Sequence, residues 1–126
     1  MSFSNEFETR VLQWTFTTGS PTRPTAWYVG LFTDNPGEAQ GGTEVSGNGY
    51  ARKAVTFTVS GDTASNNAAI EFDVATGNWG TISHIAVYDA LTSGNQIAYA
   101  ALTASKTIET GDVLRLPSGE IDITLD

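Results

Sequence analysis

The sequence predicts an all-β protein, a single-domain β-sandwich of about seven or eight strands with one short N-terminal helix. Three observations predict it. Apolar residues alternate with Thr, Glu and Asp through several runs, the period of a half-buried strand. Turn residues return at intervals of about eight to twelve positions, the spacing of sandwiches and barrels. Charged residues make up only 16% of the chain, and Thr, Ser, Asn and Gly fill the gap, which suits pleated surfaces and tight turns. A chain of 126 residues has room for one core, and no repeat divides it, so 1–126 reads as one domain. Jelly-roll and immunoglobulin-like strand orders would leave the same pattern.

The helix comes first, over 4–16. Phe7, Val11 and Trp14 recur at spacings of four and three on one face. Ser4 or Asn5 caps the first turn, and Glu6 and Glu8 suit its positive dipole end. Gly19, Pro21 and Pro24 then break it. "AWYVGLF" (26–32) is apolar on both faces, so it reads as a central strand or one packed under the helix. A long Gly-rich loop covers 33–49. In "ARKAVTFTV" Val55, Phe57 and Val59 point inward, and in "AAIEFDV" Ile70, Phe72 and Val74 do so while Glu71 and Asp73 point outward. Residues 81–101 form a hairpin across "LTSGN", "KTIETGDVLRL" forms a second, and "EIDITL" is the last strand.

Composition excludes several function classes. The net charge is −8 with only six Lys and Arg, which opposes a phosphate backbone, so nucleic acid is not an expected partner. Without cysteine there are no disulfides, thiolate metal sites or cysteine nucleophiles. The N-terminal "MSFSNEFETR" lacks the apolar run of a signal peptide, and no stretch is long enough to span a bilayer. The expectation is a soluble protein made in a cytoplasm, with no membrane partner.

Four glycines in "GGTEVSGNGY" invite a phosphate-loop reading. The chain has no Walker pattern, and Arg52 stands where a dinucleotide loop needs its third glycine. The loop also precedes a strand and opens no helix. His84, the only histidine, sits in a strand without a nucleophile-elbow pattern nearby. Glu71 with Asp73, and Glu120 with Asp122, read as solvated strand faces rather than a glycosidase pair. "DNPGE" and "DALTSGN" hold oxygen ligands but lack the spacing of a calcium loop. No catalytic residue, metal or cofactor is therefore assigned. Trp14 and Trp27 lie in apolar runs and are assigned to the core. Trp79 follows the loop-like "ATGN" and is the tryptophan expected at the surface, where it would serve a glycan-binding face.

Three stretches taken together, "WYVGLFTDNPGEAQGGTEVSGNGYARKAVTF", "ATGNWGTISHIAVYDA" and "ALTASKTIETGDVLRL", with the terminal "GEIDITLD", carry a resemblance. The chain resembles a family of small virion structural proteins of tailed bacteriophages, usually labelled phage tail fibre protein, from about residue 3 onward. The resemblance implies a virion component without enzymatic activity. It also makes the Gly-rich loop a family signature: Gly47 and Gly49 supply backbone angles other residues resist, and Tyr50 anchors the loop to the core. A compact acidic domain without a repeated shaft suits the outside of a shell, so the expected function is head decoration, bound to the major capsid protein as a homo-oligomer, with a trimer among the options. The alternative is a small tail-fibre or tail-tip component bound to tail proteins and acting in host attachment, and a glycan-binding module is third. The expected interaction surface comprises Phe7, Val11, Trp14, Glu44, Tyr50, Arg52 and Trp79.

Overall fold

A computed structural model describes residues 1–125. Its elements are β1 (Ser2–Phe3), α1 (Asn5–Phe16), β2 (Tyr28–Phe32), β3 (Lys53–Ala54), β4 (Phe57–Ser60), β5 (Thr63–Asn66), β6 (Ile70–Glu71), β7 (Gly80–Tyr88), β8 (Gln96–Ile108), β9 (Arg115–Leu116) and β10 (Asp122–Thr124). The strands form three antiparallel sheets, of order β1-β8-β7-β2-β3, β10-β5-β4 and β6-β9. The all-β sandwich with one short helix is as the sequence predicts, but the strands number ten because several are only two residues long.

All three sheets contribute to one core. Val29 and Leu31 of β2 and Ile85 and Val87 of β7 meet Ile70 and Leu116 of the two-stranded sheet, while Phe57 and Ile123 of the three-stranded sheet pack against them partly buried. Phe32, Ala86 and Tyr88 form a second cluster. Every residue from Val29 to Phe32 is buried, as an apolar run of this kind demands of a central strand. Two buried amides join the parts. Gln96 Nε2 donates to Ser4 Oγ and to the Gly37 carbonyl, both at 2.8 Å, tying the helix start and the long loop to β8. Asn66 donates to the carbonyls of Ala68 and Pro117 and accepts from Ile121 N–H, holding the C-terminal strand to β5.

Several expectations are corrected. The run 51–59 is not one strand: β3 pairs with β2, then Val55 N–H donates to the Trp27 carbonyl and the chain crosses to the other sheet as β4. Val59 and Val74, expected inward, are exposed: Val59 lies on β4, the edge strand of its sheet, and Val74 lies beyond the end of β6. "KTIETGDVLRL" is not a hairpin. β8 continues to Ile108 beside β7, and a turn at 109–112 sends the chain to β9, which pairs with β6. The hairpin of β4 with β5 across Gly61 and Asp62 went unread because "TASN" carries no large apolar residue.

The helix runs Asn5–Phe16, one residue shorter than the expected 4–16, with Ser4 as its cap residue. Ser4 occupies the cap position in an extended conformation and makes no side-chain cap bond; its hydroxyl serves Gln96 instead. Within α1 only Phe7 is buried.

Candidate functional site

The sequence from Gly42 to Arg52 builds a densely hydrogen-bonded region. Val45 N–H donates to the Leu31 carbonyl, which lays the loop against β2. A tight turn follows, with Tyr50 N–H donating to Gly47 O at 3.0 Å. Gly47, Asn48 and Gly49 all have positive φ, 73°, 54° and 82°, so the two glycines sit where a side chain is disfavoured. The turn rests on the segment 75–79. Asn48 O accepts from Thr76 N–H and from Trp79 Nε1, and Asn48 Nδ2 donates to Asn78 O.

Beneath this turn lies a closed cluster. The Tyr50 ring meets Trp79 edge-on at 5.5 Å and lies parallel to Phe72 at 6.3 Å. Its hydroxyl accepts from Leu31 N–H at 2.9 Å and donates to Glu44 Oε2 at 2.6 Å. Arg52 meets both oxygens of Glu44 in a two-pronged pair at 2.8 Å, the strong geometry for this ion pair. Its third nitrogen donates to the carbonyls of Ala90 and Ser93, and its guanidinium lies 3.7 Å from the Tyr88 ring centre. Burial, then the bond to Glu44, pushes the Tyr50 phenol well above the usual tyrosine range. Burial also raises the Tyr88 phenol. For Arg52 burial opposes the charge, but the bonds and attraction to Glu44 outweigh it and hold the guanidinium above its usual value.

Chemically, this cluster braces. Each polar atom in it is occupied by a neighbour, and among the described residues no buried side-chain nitrogen or oxygen lacks a partner. The loop is therefore bolted to β2 and to the 89–95 turn, and Tyr50 does anchor it to the core. The other candidates are equally local. His84 is half-buried, with Nδ1 2.8 Å from the hydroxyl of its chain neighbour Ser83. Asp73 pairs with Lys53 at 2.7 Å, and Asp122 accepts from Ser65. Asp34 braces Thr43, and Asp89 braces Asn95. Among the described residues no group of three or more His, Asp or Glu is arranged to hold a metal, and no helix is long and apolar enough to cross a membrane.

Two of the three tryptophans are placed opposite to expectation, while Trp27 packs partly buried against the core. Trp79 is 5% exposed, because its ring is the wall on which Tyr50 packs and its N–H is taken by Asn48. Trp14 is 74% exposed, and within α1 only Phe7 is buried. Of the seven residues expected at an interaction surface, Val11 and Trp14 are at the surface. Phe7, Arg52 and Trp79 are buried, and Glu44 and Tyr50 are half-buried in the cluster. Leu12 and Phe16, which the sequence reading did not single out, are 57% and 78% exposed on the same helix as Val11 and Trp14. Their signal was present in the sequence as apolar residues off the four-three stripe. A groove of about 530 Å³ runs beside this helix, lined by Phe7, Arg10, Val11, Trp14 and residues 20–24.

The fold is a braced β-scaffold whose one helix carries exposed apolar residues. The chain belongs to the family described as Podophage GP4 fiber I protein gp80, which matches it over residues 2–124. It is thus a virion structural protein of the phage tail-fibre type. Curated proteins yield no match.

Proposed function

We propose that this protein is a non-enzymatic component of a phage tail fibre or tail tip, joined to neighbouring tail proteins and acting in host attachment. The observation that carries the reading is the family match, which spans nearly the whole chain and bears a fibre description. The exposed apolar residues of α1 support a protein that works by contact, and the internally satisfied polar cluster gives a catalytic reading nothing to act with. Val11 and Trp14, with Leu12 and Phe16, are the contact residues in this reading. Glu44, Tyr50, Arg52 and Trp79 set the shape of the scaffold.

Head decoration is the second reading, favoured by the acidic charge of −8 and a compact chain without a repeated shaft. Copy number per purified particle, measured by quantitative mass spectrometry against the major capsid protein, separates the two. A handful of copies, with antibody labelling at the tail, is the expected result. A ratio near a simple fraction of the shell subunits would make the protein cement, and none at all would sink both readings.

A further inference from the structure

Strand β4 is an edge of its sheet, with β5 on one side and, among the described residues, no strand on the other. Its pairing fixes which backbone groups are taken. Ser60 and Thr63 flank the two-residue turn, and Asn67 N–H donates to the Thr56 carbonyl. In the antiparallel alternation Thr56, Thr58 and Ser60 therefore bond toward β5, while the N–H and C=O of Phe57 and Val59 point outward. Among the described residues these outward groups meet no other backbone group.

Nothing on β4 blunts this edge. Natural edges are guarded by Lys, Pro, bulges or inward charges, and "FTVS" has none of them. The opposite edge of the same sheet is guarded. There β10 starts with Asp122, whose carbonyl accepts from the Met1 ammonium at 3.0 Å. The length of β8 beyond its pairing with β1 carries Lys106.

The same two residues of β4 open a cleft. Phe57 and Val59 line a space of about 450 Å³ between the sheets, together with Trp27, Val87, Ile97 and Ile123. That volume falls among ligand sites, roughly 300–1,000 Å³. Val59 is 71% exposed and Val87 0%, so apolar wall runs from solvent down to the core. Two charged residues also line it. The Asp62 carboxylate takes the Thr63 hydroxyl, whereas Arg23 makes no ion pair or side-chain hydrogen bond among the described residues.

Outward backbone groups beside an apolar cleft select the occupant. A small apolar molecule would fill the cleft and leave the edge unmatched. A second copy would bring a further charge of −8 against this one. An extended peptide matches both, because its N–H and C=O groups follow the strand repeat and its alternate side chains, roughly 6.6 Å apart, fall on one side. We infer that β4 is the docking edge for an extended segment of a neighbouring virion protein, apolar at alternate positions and carrying an acid against Arg23. The segment joins as a fourth strand, bonding to Phe57 and Val59 and seating its apolar side chains in the cleft. This contact is additional to the helix. It rests on the virion-component reading and deepens it by giving the chemistry of one partner. Binding is read on purified protein and location from copy number per particle, so either can fail alone.

The experiment is fluorescence anisotropy of labelled, overlapping short peptides that tile the structural proteins of the same virion, titrated with the full chain. Val59→Pro, Ala64→Phe and the control Leu91→Ser are run beside it, each checked for folding by circular dichroism. Val59→Pro removes only an outward N–H, a change that edge strands tolerate, and Ala64→Phe fills the cleft from β5. At least one peptide with alternating apolar residues and an acid is expected to bind the wild type and Leu91→Ser. Both edge variants are expected to weaken it at least roughly tenfold while staying folded. Ala64→Phe keeps the test open should Val59→Pro misfold. Absence of any binding peptide overturns the inference, as does binding that survives both substitutions. Self-association of the wild type that Val59→Pro abolishes would give the edge to a second copy and overturn it as well.

Discussion

Tyr50 holds two bonds with one hydroxyl, and its loss is felt on both sides. In Tyr50→Phe the Leu31 N–H loses its side-chain acceptor and Glu44 Oε2 keeps only its bond from Arg52, so stability is expected to fall by roughly 1–3 kcal/mol in urea unfolding. The same hydroxyl gives an alkaline signature. Its pKa is raised in the folded state above the unfolded value of about 10, so its stabilising contribution is complete below that pH and is lost as pH rises beyond it. Melting temperature should therefore drop above pH ~10, and less steeply in Tyr50→Phe, with Tyr88 supplying the slope that remains. Gly30 answers to the same cluster. A Cβ there would lie 2.8 Å from Glu44 Oε2, an oxygen that Arg52 and Tyr50 prevent from yielding. Gly30→Ala is expected to cost roughly 1–3 kcal/mol, read from the midpoint of denaturation.

The helix separates support from contact along its own length. Phe7→Ala removes the one buried side chain of α1 and should cost roughly 3–5 kcal/mol. Trp14→Ala should change stability by no more than about 0.5 kcal/mol in dilute monomer, since the ring touches little of its own molecule. Comparing the two melting curves checks both. The spacing of Phe7, Val11 and Trp14 made the helix legible in the sequence, but not which of the three the rest of the molecule covers, since only Phe7 is buried. Strand pairing was legible where a turn joins sequential partners, as in β7 and β8. It was hidden in β3 and β4, where one alternating run serves two sheets, and in β9, whose partner β6 lies far back in the chain. Glu44, Tyr50 and Arg52 stood out as residues worth naming; that they turn inward onto one another depends on the loop's path, which spacing does not encode.

Three sheets share one core, so the molecule is expected to unfold as a unit. Leu116 lies in the smallest sheet yet is 1% exposed and belongs to the same apolar cluster as Val29 and Ile85. Leu116→Ala should lower the denaturation midpoint by an amount worth roughly 2–5 kcal/mol. The slope of the transition and its coincidence across fluorescence and circular dichroism should stay unchanged. A separate early transition would mean that β6 and β9 form an independent unit.

The loop and the hairpin tip differ in what they would tolerate as carriers of foreign peptide. Between Glu44 and Arg52 the chain holds a carboxylate, a phenol and a guanidinium at fixed offsets, each closing on the others, so one inserted residue would unlatch the loop from β2 and from the 89–95 turn together. At the hairpin tip a side chain on Gly61 would meet open space, and Asp62 is held only by the Leu125 N–H at its carbonyl and the Thr63 hydroxyl at its carboxylate. Passenger sequences displayed on every copy of this protein belong at that tip, and the glycine-rich loop is the place to leave untouched.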